Sequence, residues 1–171
     1  IARYGPASEE VTVVGAHYDA YAHFPGADDN ASGVAGLLEL GRLLGQHRLG
    51  HRVELVGYTL EEPPYFATAY MGSAVHAQSL KGAGVEIRVM ISLEMIGYFT
   101  DEPDSQEFPV GLMRHLYPDK GNFISVIDQL ISTKGFGVKA AIQRFTDLPV
   151  QLLNAPAFVT SVDFSDHRNY W

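Results

Sequence analysis

VTVVGAHYD (residues 11–19) is the stretch that decides the fold, because a run of β-branched residues in it ends at a histidine and an aspartate. Residues 11–16 predict a short buried strand, since an apolar run of this length suits the interior of a parallel sheet. In residues 31–44 the apolar positions recur at spacings of three and four. Such spacing is typical of a helix that buries one face. A strand followed by a helix is the repeating unit of α/β folds.

The rest of the chain continues this alternation. Further strands are expected at residues 53–60, around 89–93, and at 123–127 and 150–154, with helices at 71–80 and 128–133. Residues 100–120 are rich in Pro, Asp, Gly and His, which predicts a long surface loop. The length of 171 residues fits a single domain over residues 1–171. The pattern predicts an α/β fold with a largely parallel sheet.

Composition excludes several classes of protein. Hydrophobic residues make up 46% and charged residues 19%, which is typical of a globular chain, and no apolar run is long enough to span a membrane. The absence of Cys excludes disulfides and thiolate chemistry. A net charge of -8 argues against a nucleic-acid partner. The chain shows no signal peptide, and both ends look cut, so we expect a partial domain and predict no compartment.

Acidic residues gather just after the predicted strands, beside His17. They are Asp19, Asp28, Asp29, Glu61, Glu62 and Glu94. Because parallel strands end at one edge of a sheet, these carboxylates should converge there, and a divalent cation would neutralise them. One histidine among carboxylates suits Zn, Mn or Co. Asp19 can hold the second ring nitrogen of His17, whereas the adjacent Glu61 and Glu62 should point apart, one to the metal and one to the substrate.

Five short motifs together resemble the M28 family of zinc exopeptidases, which includes two-zinc aminopeptidases and glutaminyl cyclases. The motifs are HYD (17–19), PGADDNASG (25–33), EE (61–62), MGS (71–73) and SDH (165–167). The resemblance implies a three-layer α/β/α sandwich with a mostly parallel mixed central sheet, like that of zinc exopeptidases and phosphorylase/hydrolase-like proteins.

The resemblance also implies roles for individual residues. Asp28 would bridge two zinc ions, with His17 and Glu94 completing one site and Glu62 binding the other. In the same way Glu61 would be the general base and Asp19 would orient His17. The family carries a cis peptide after the bridging aspartate, which here would join Asp28 to Asp29.

Two departures from the family pattern affect the predicted site. Glu94 stands where many two-zinc aminopeptidases carry Asp, and the family's last ligand histidine, which follows the SDH motif, has no counterpart in this chain. One zinc site is therefore expected to be incomplete. Ser165 is expected close to the metals, and His167 is either structural or a substitute ligand.

The function predicted from the sequence is that of a metal-dependent aminopeptidase acting on peptides. Aromatic residues Tyr65, Phe66 and Tyr98 either form an apolar wall for a substrate side chain or pack within loops. A single-zinc acyltransferase related to glutaminyl cyclase and a non-catalytic metal- or partner-binding fragment are the alternatives. An exposed strand edge would favour a homodimer.

Overall fold

The computed structural model describes residues 1–108, 111–159 and 162–171, with the backbone alone at Leu112. The chain divides into two compact units. The first consists of Ile1–Gly97 together with Ser165–Trp171, and the second of Tyr98–Phe164. Among the described residues, no helix is both long and apolar enough to cross a membrane.

Strands and helices alternate in the first unit, as the sequence predicts. In chain order the elements are β1 (Ala2–Tyr4), β2 (Glu10–His17), a kinked turn (Ala27–Ser32), α1 (Gly33–Leu44), β3 (Arg52–Tyr58), α2 (Gly72–Gly82), β4 (Glu86–Ser92) and a 3-10 turn (Asp166–Tyr170). The sequence did not predict β1, because three residues are too few to show an alternating pattern, nor did it predict the kinked turn and the 3-10 turn.

The four strands form one sheet in the order β1-β3-β2-β4. Strand β2 runs parallel to both β3 and β4, while β1 pairs antiparallel with β3. His17 is in register with Tyr58, and Gly15 with Ser92. The carboxyl ends of the three parallel strands therefore lie side by side, and the loops that follow them leave the sheet at one edge.

Helices cover both faces of this sheet. On one face, Leu37 of α1 packs against residues such as Val14 and Leu55. On the other, Leu80 of α2 belongs to the cluster that contains Val13 and Tyr58. This arrangement of a mostly parallel mixed sheet between helices confirms the predicted α/β/α fold.

The second unit contains a 3-10 turn (Gly111–His115), β5 (Ile124–Gln129), α3 (Lys134–Phe145) and β6 (Val150–Ala155), with β5 parallel to β6. The predicted helix at 128–133 is wrong, because β5 continues to Gln129 and the helix begins at Lys134. Helix α3 was missed since Gly135 and Gly137 both oppose helix formation. Helix α3 packs closely on the two strands at Gly135, where a Cβ would stand 2.8 Å from Leu152 Cδ1 and 3.0 Å from Asp128 Cβ.

Candidate metal centre

Polar side chains converge at the edge where the parallel strands of the first unit end. His17 is the last residue of β2, and Glu61 and Glu62 follow β3 by three and four residues. Glu94 follows β4, and Asp29 lies in the kinked turn before α1. The convergence that the sequence predicted is therefore present in the structure.

Three carboxylates surround the Nε2 atom of His17. Its distances are 3.2 Å to Asp29 Oδ1, 3.3 Å to Glu94 Oε1 and 3.8 Å to Glu61 Oε2. Two groups of potential ligand atoms, each within 4.8 Å of one another, are formed by His17 with Glu61 and Glu62, and by His17 with Asp29 and Glu94. The imidazole, only 1% exposed, is common to both groups.

Asp19 fixes the orientation of the His17 ring. The ring Nδ1–H donates to the backbone oxygen of Asp19 at 3.1 Å, and Asp19 Oδ1 lies 3.6 Å from the same nitrogen. The other carboxylate oxygen, Oδ2, accepts from the backbone N–H of Glu62 at 3.1 Å. With Nδ1 donating, Nε2 carries a lone pair that faces three carboxylates, so that nitrogen needs either a proton or a metal ion.

The pKa values reflect an excess of negative charge in a confined place. Burial raises the pKa of Glu61 to about 8, with the charges of Glu94, Asp166 and Glu62 adding to the effect. Burial also raises the pKa of Asp29 and of Glu62. Although burial opposes it, the Glu94 hydrogen bond and the surrounding carboxylates raise the pKa of His17 to about 10. Protons therefore bind this cluster tightly, as expected of a site built for a cation.

The residues of the cluster fit a divalent metal ion. Asp29 Oδ1, Glu62 Oε1 and Asp19 Oδ1 are buried and have no hydrogen-bond partner among the described residues. Buried carboxylate oxygens are normally satisfied, and their free lone pairs are the donors that a metal uses. One imidazole and several carboxylates form a donor set that suits zinc.

One predicted ligand requires correction. The structure brings Asp29, and not Asp28, into the group with His17 and Glu94. Asp28 Oδ1 instead accepts the backbone N–H of Gly97 at 2.8 Å. The two aspartates are adjacent in a non-helical part of the turn, so their side chains diverge, and the motif alone does not distinguish them. The cis peptide is also one residue later than predicted, between Asp29 and Asn30.

Of the SDH motif, Ser165 contacts the cluster directly. Its hydroxyl donates to Glu94 Oε2 at 2.7 Å and lies 3.0 Å from the hydroxyl of Ser92. The ring of His167 packs edge-to-face on Trp171, with centroids 4.8 Å apart, and His167 is in neither ligand group. Asp166, to which the sequence assigned no role, is fully buried, and burial raises its pKa to about 6.

The three aromatic residues of the predicted substrate wall belong to different units, Tyr65 and Phe66 to the first and Tyr98 to the second. Tyr65 is 43% exposed, and the guanidinium of Arg168 lies 4.8 Å from the centre of the Phe66 ring. Tyr98 is exposed and opens the second unit. The role of these three residues in substrate binding stays a prediction.

Comparison with known proteins shows the family of the chain. The sequence profile of Peptidase family M28 matches residues 1–130. The chain belongs to this family. Its sequence is 48% identical to the Escherichia coli protein YfbL over 180 residues, which cover all of this chain and 55% of YfbL. It is 34% identical to a probable leucine aminopeptidase of Arthroderma otae, over 57% of this chain and 31% of that protein.

Two further relatives extend the comparison. A probable zinc metalloprotease of Pyrenophora tritici-repentis is 32% identical over half of this M28 chain and 20% of its own length. The crystal structure of LapA from Legionella shares the fold with a TM-score of 0.61 at 17% identity, over 94% of this chain and 38% of LapA. The chain thus spans about half, or less, of the length of the relatives that it matches.

Proposed function

We propose that this M28 chain carries the metal centre of a metal-dependent aminopeptidase, with zinc as the preferred ion and Mn or Co as substitutes. The observation that carries the proposal is the His17 Nε2 atom, which faces the carboxylates of Asp29 and Glu94 at 3.2 and 3.3 Å. These three residues would hold one ion. Glu62, whose Oε1 is buried and unpaired among the described residues, would bind a second ion, and Asp29 would be the ligand shared with the first, as the family pattern implies.

When bound, such an ion polarises the scissile carbonyl and makes a water molecule more acidic. The protein must then supply a base for the proton of that water. Glu61 suits this role because it is 7% exposed and its carboxylate faces the cluster, 3.8 Å from His17 Nε2. With a cation bound, the pKa of Glu61 would fall from its raised value in the metal-free cluster, and the ionised carboxylate of Glu61 would accept the proton. The same carboxyl can return it to the departing amine.

Charge supports a substrate with a free amino terminus. The cluster and its surroundings hold the carboxylates of Asp19, Asp29, Glu61, Glu62, Glu94 and Asp166 against one imidazole. Such an excess attracts a protonated amine as well as a metal. The relative named probable leucine aminopeptidase supports the same substrate class.

The test combines metal analysis with hydrolysis. The chain is stripped with a chelator, reloaded with zinc and examined by elemental analysis, and release of p-nitroaniline is followed from leucine p-nitroanilide. Acetyl-leucine p-nitroanilide is the matched control substrate, because it lacks only the free amine. We expect zinc-dependent cleavage of the first substrate alone.

Other outcomes separate the alternatives. One zinc per chain with cyclisation of amino-terminal glutamine would favour the acyltransferase related to glutaminyl cyclase. Zinc binding without turnover of any of these substrates would favour a non-catalytic metal-binding role. Equal cleavage of the blocked and unblocked anilides would contradict recognition of the free amine.

A further inference from the structure

Asn30 directly follows the proposed bridging ligand Asp29, and its side chain is 1% exposed. Buried amides are normally bonded to defined partners, because each unsatisfied donor or acceptor is costly. The Nδ2 atom donates to the backbone oxygen of Leu93 at 2.8 Å. The Oδ1 atom accepts the backbone N–H of Met95 at 3.3 Å and that of Gly33 at 3.2 Å.

Two of these hydrogen bonds lie on either side of another proposed ligand, Glu94. Leu93 and Met95 are the two chain neighbours of Glu94, and one amide group bonds to both of them. Met95 has a positive φ of 46°, so the chain turns sharply immediately after Glu94. The side chain of Asn30 thus holds the backbone on both sides of Glu94, while its own backbone adjoins Asp29.

The start of α1 at Gly33 lies so close to the Asn30 amide and to Leu93 that only glycine fits there. A Cβ on Gly33 would stand 2.3 Å from Asn30 Oδ1 and 2.7 Å from the backbone oxygen of Leu93. No side chain fits there unless the Asn30 amide and the backbone of Leu93 both move. Gly33 therefore lets the start of α1, the amide of Asn30 and the segment before Glu94 meet at one point.

We propose that Asn30 is a positioning residue that fixes the carboxylates of Asp29 and Glu94 relative to each other for metal binding. An amide suits this position because it offers a donor to one carbonyl and an acceptor to two N–H groups at once. A residue that acts through the ligands in this way sets the geometry of the metal ion without touching it. The inference rests on the proposed function, since it requires that Asp29 and Glu94 bind a metal.

The test uses Co²⁺ as a probe, because its visible absorption reports the geometry of its ligands. Asn30→Ala is compared with Asn154→Ala in the second unit. Asn154 is the control, since its side-chain amide, like that of Asn30, bonds to the backbone of other segments, donating to the backbone oxygens of Gln129 and Ser132. Cobalt affinity is measured by calorimetric titration, and thermal unfolding is followed by circular dichroism.

We expect both variants to lose thermal stability. Only Asn30→Ala should bind cobalt about 10- to 100-fold more weakly and show an altered cobalt spectrum, as is usual when a partner of a ligand is lost. Gly33→Ala is the second test, since its added methyl displaces the Asn30 amide. It should alter the spectrum in the same direction, and it decides the matter if Asn30→Ala does not fold.

Three results would overturn the proposal. An unchanged cobalt spectrum and affinity in a folded Asn30→Ala chain would show that Asn30 is merely structural, and so would equal losses in the two asparagine variants. If Asn30→Ala does not fold, an unchanged spectrum in Gly33→Ala has the same meaning. Failure of the wild-type chain to bind cobalt or zinc would overturn the proposed metal site together with this inference.

Discussion

The first unit buries carboxylates beside a histidine at two places, one carboxylate beside His76 and several beside His17. The negative charge is neutralised in opposite ways at the two places. In one group, which we call the Glu54 network, the carboxylate of Glu54 is fully buried and accepts hydrogen bonds from Arg3, Arg52 and His76. The other nitrogen of His76 lies 2.6 Å from the hydroxyl of Tyr170. The cluster around His17 instead contains several carboxylates, and some of their buried oxygens have no hydrogen-bond partner among the described residues.

The pKa directions express the same difference. Burial alone would raise the pKa of Glu54, but the hydrogen bonds from Arg52, Arg3 and His76 lower it below its ordinary value. Burial raises the pKa of Glu61 to about 8, and the single imidazole nearby does not compensate. A buried carboxylate with a structural role thus has cations from the chain itself. Among the described residues, no Lys or Arg side chain forms an ion pair with the His17 cluster, which indicates that its cation comes from outside.

The largest difference in zinc affinity is expected between variants of the two adjacent aspartates of the kinked turn, Asp29 and Asp28. Asp29→Ala removes the proposed bridging ligand and should weaken zinc binding by more than about 100-fold, beyond the loss typical of an outer partner. Asp28→Ala removes the acceptor for the backbone N–H of Gly97, outside both groups of potential ligands, and should retain most of the affinity. Calorimetric titration with zinc checks both variants. A larger loss in Asp28→Ala would restore the prediction made from the sequence.

The Glu54 network should govern stability and leave metal binding intact. Glu54→Ala leaves the buried His76 and the largely buried Arg52 without their acceptor and should lower the free energy of unfolding by about 3 kcal/mol, with zinc content unchanged. Urea denaturation and elemental analysis measure the two quantities. Glu39→Ala is the control, because its ion pair with Arg42 is exposed, and it should change stability little. Loss of zinc in Glu54→Ala would remove the distinction between the two groups.

Within the His17 cluster, substitution of Glu61 should lower turnover, and substitution of the adjacent Glu62 should lower zinc binding. Glu61→Gln keeps the shape of the side chain but removes the proton acceptor. Turnover of leucine p-nitroanilide should therefore fall by about 100-fold or more while zinc is retained. Glu62→Gln is the matched variant and should lose zinc from the second site. If Glu61→Gln loses zinc and Glu62→Gln does not, the two roles are exchanged.

The pH dependence of zinc binding should further distinguish the His17 cluster from the Glu54 network. The pKa of His17 is raised to about 10 and that of Glu61 to about 8, so the metal-free cluster holds protons at neutral pH. Zinc displaces those protons, and its affinity should therefore rise with pH up to about pH 10, where His17 loses its proton in the absence of metal. Calorimetry in buffers of different ionisation enthalpy measures the proton release. Affinity that does not change between pH 6 and 8 would contradict these protonation states.

The sequence predicted the edge at which the cluster forms because strand ends and acidic residues coincide along the chain, as at His17 and Asp19. It did not distinguish Asp28 from Asp29, since the direction of a side chain in a kinked turn depends on backbone angles and on distant partners such as Gly97. The Glu54 network was missed for a similar reason. Arg52 lies two residues from Glu54 on β3, but the other members come from β1, α2 and the 3-10 turn, and no local pattern connects those.

The most direct test of the central claim is a crystal structure of the zinc-loaded chain with anomalous data collected at the zinc absorption edge. The account predicts a peak about 2.0–2.2 Å from His17 Nε2 and from carboxylate oxygens of Asp29 and Glu94. It predicts no zinc peak at His76 and Glu54, which pair with each other at 3.0 Å. Zinc bound at that second histidine, or an absence of zinc from the His17 cluster at saturating concentration, would contradict it.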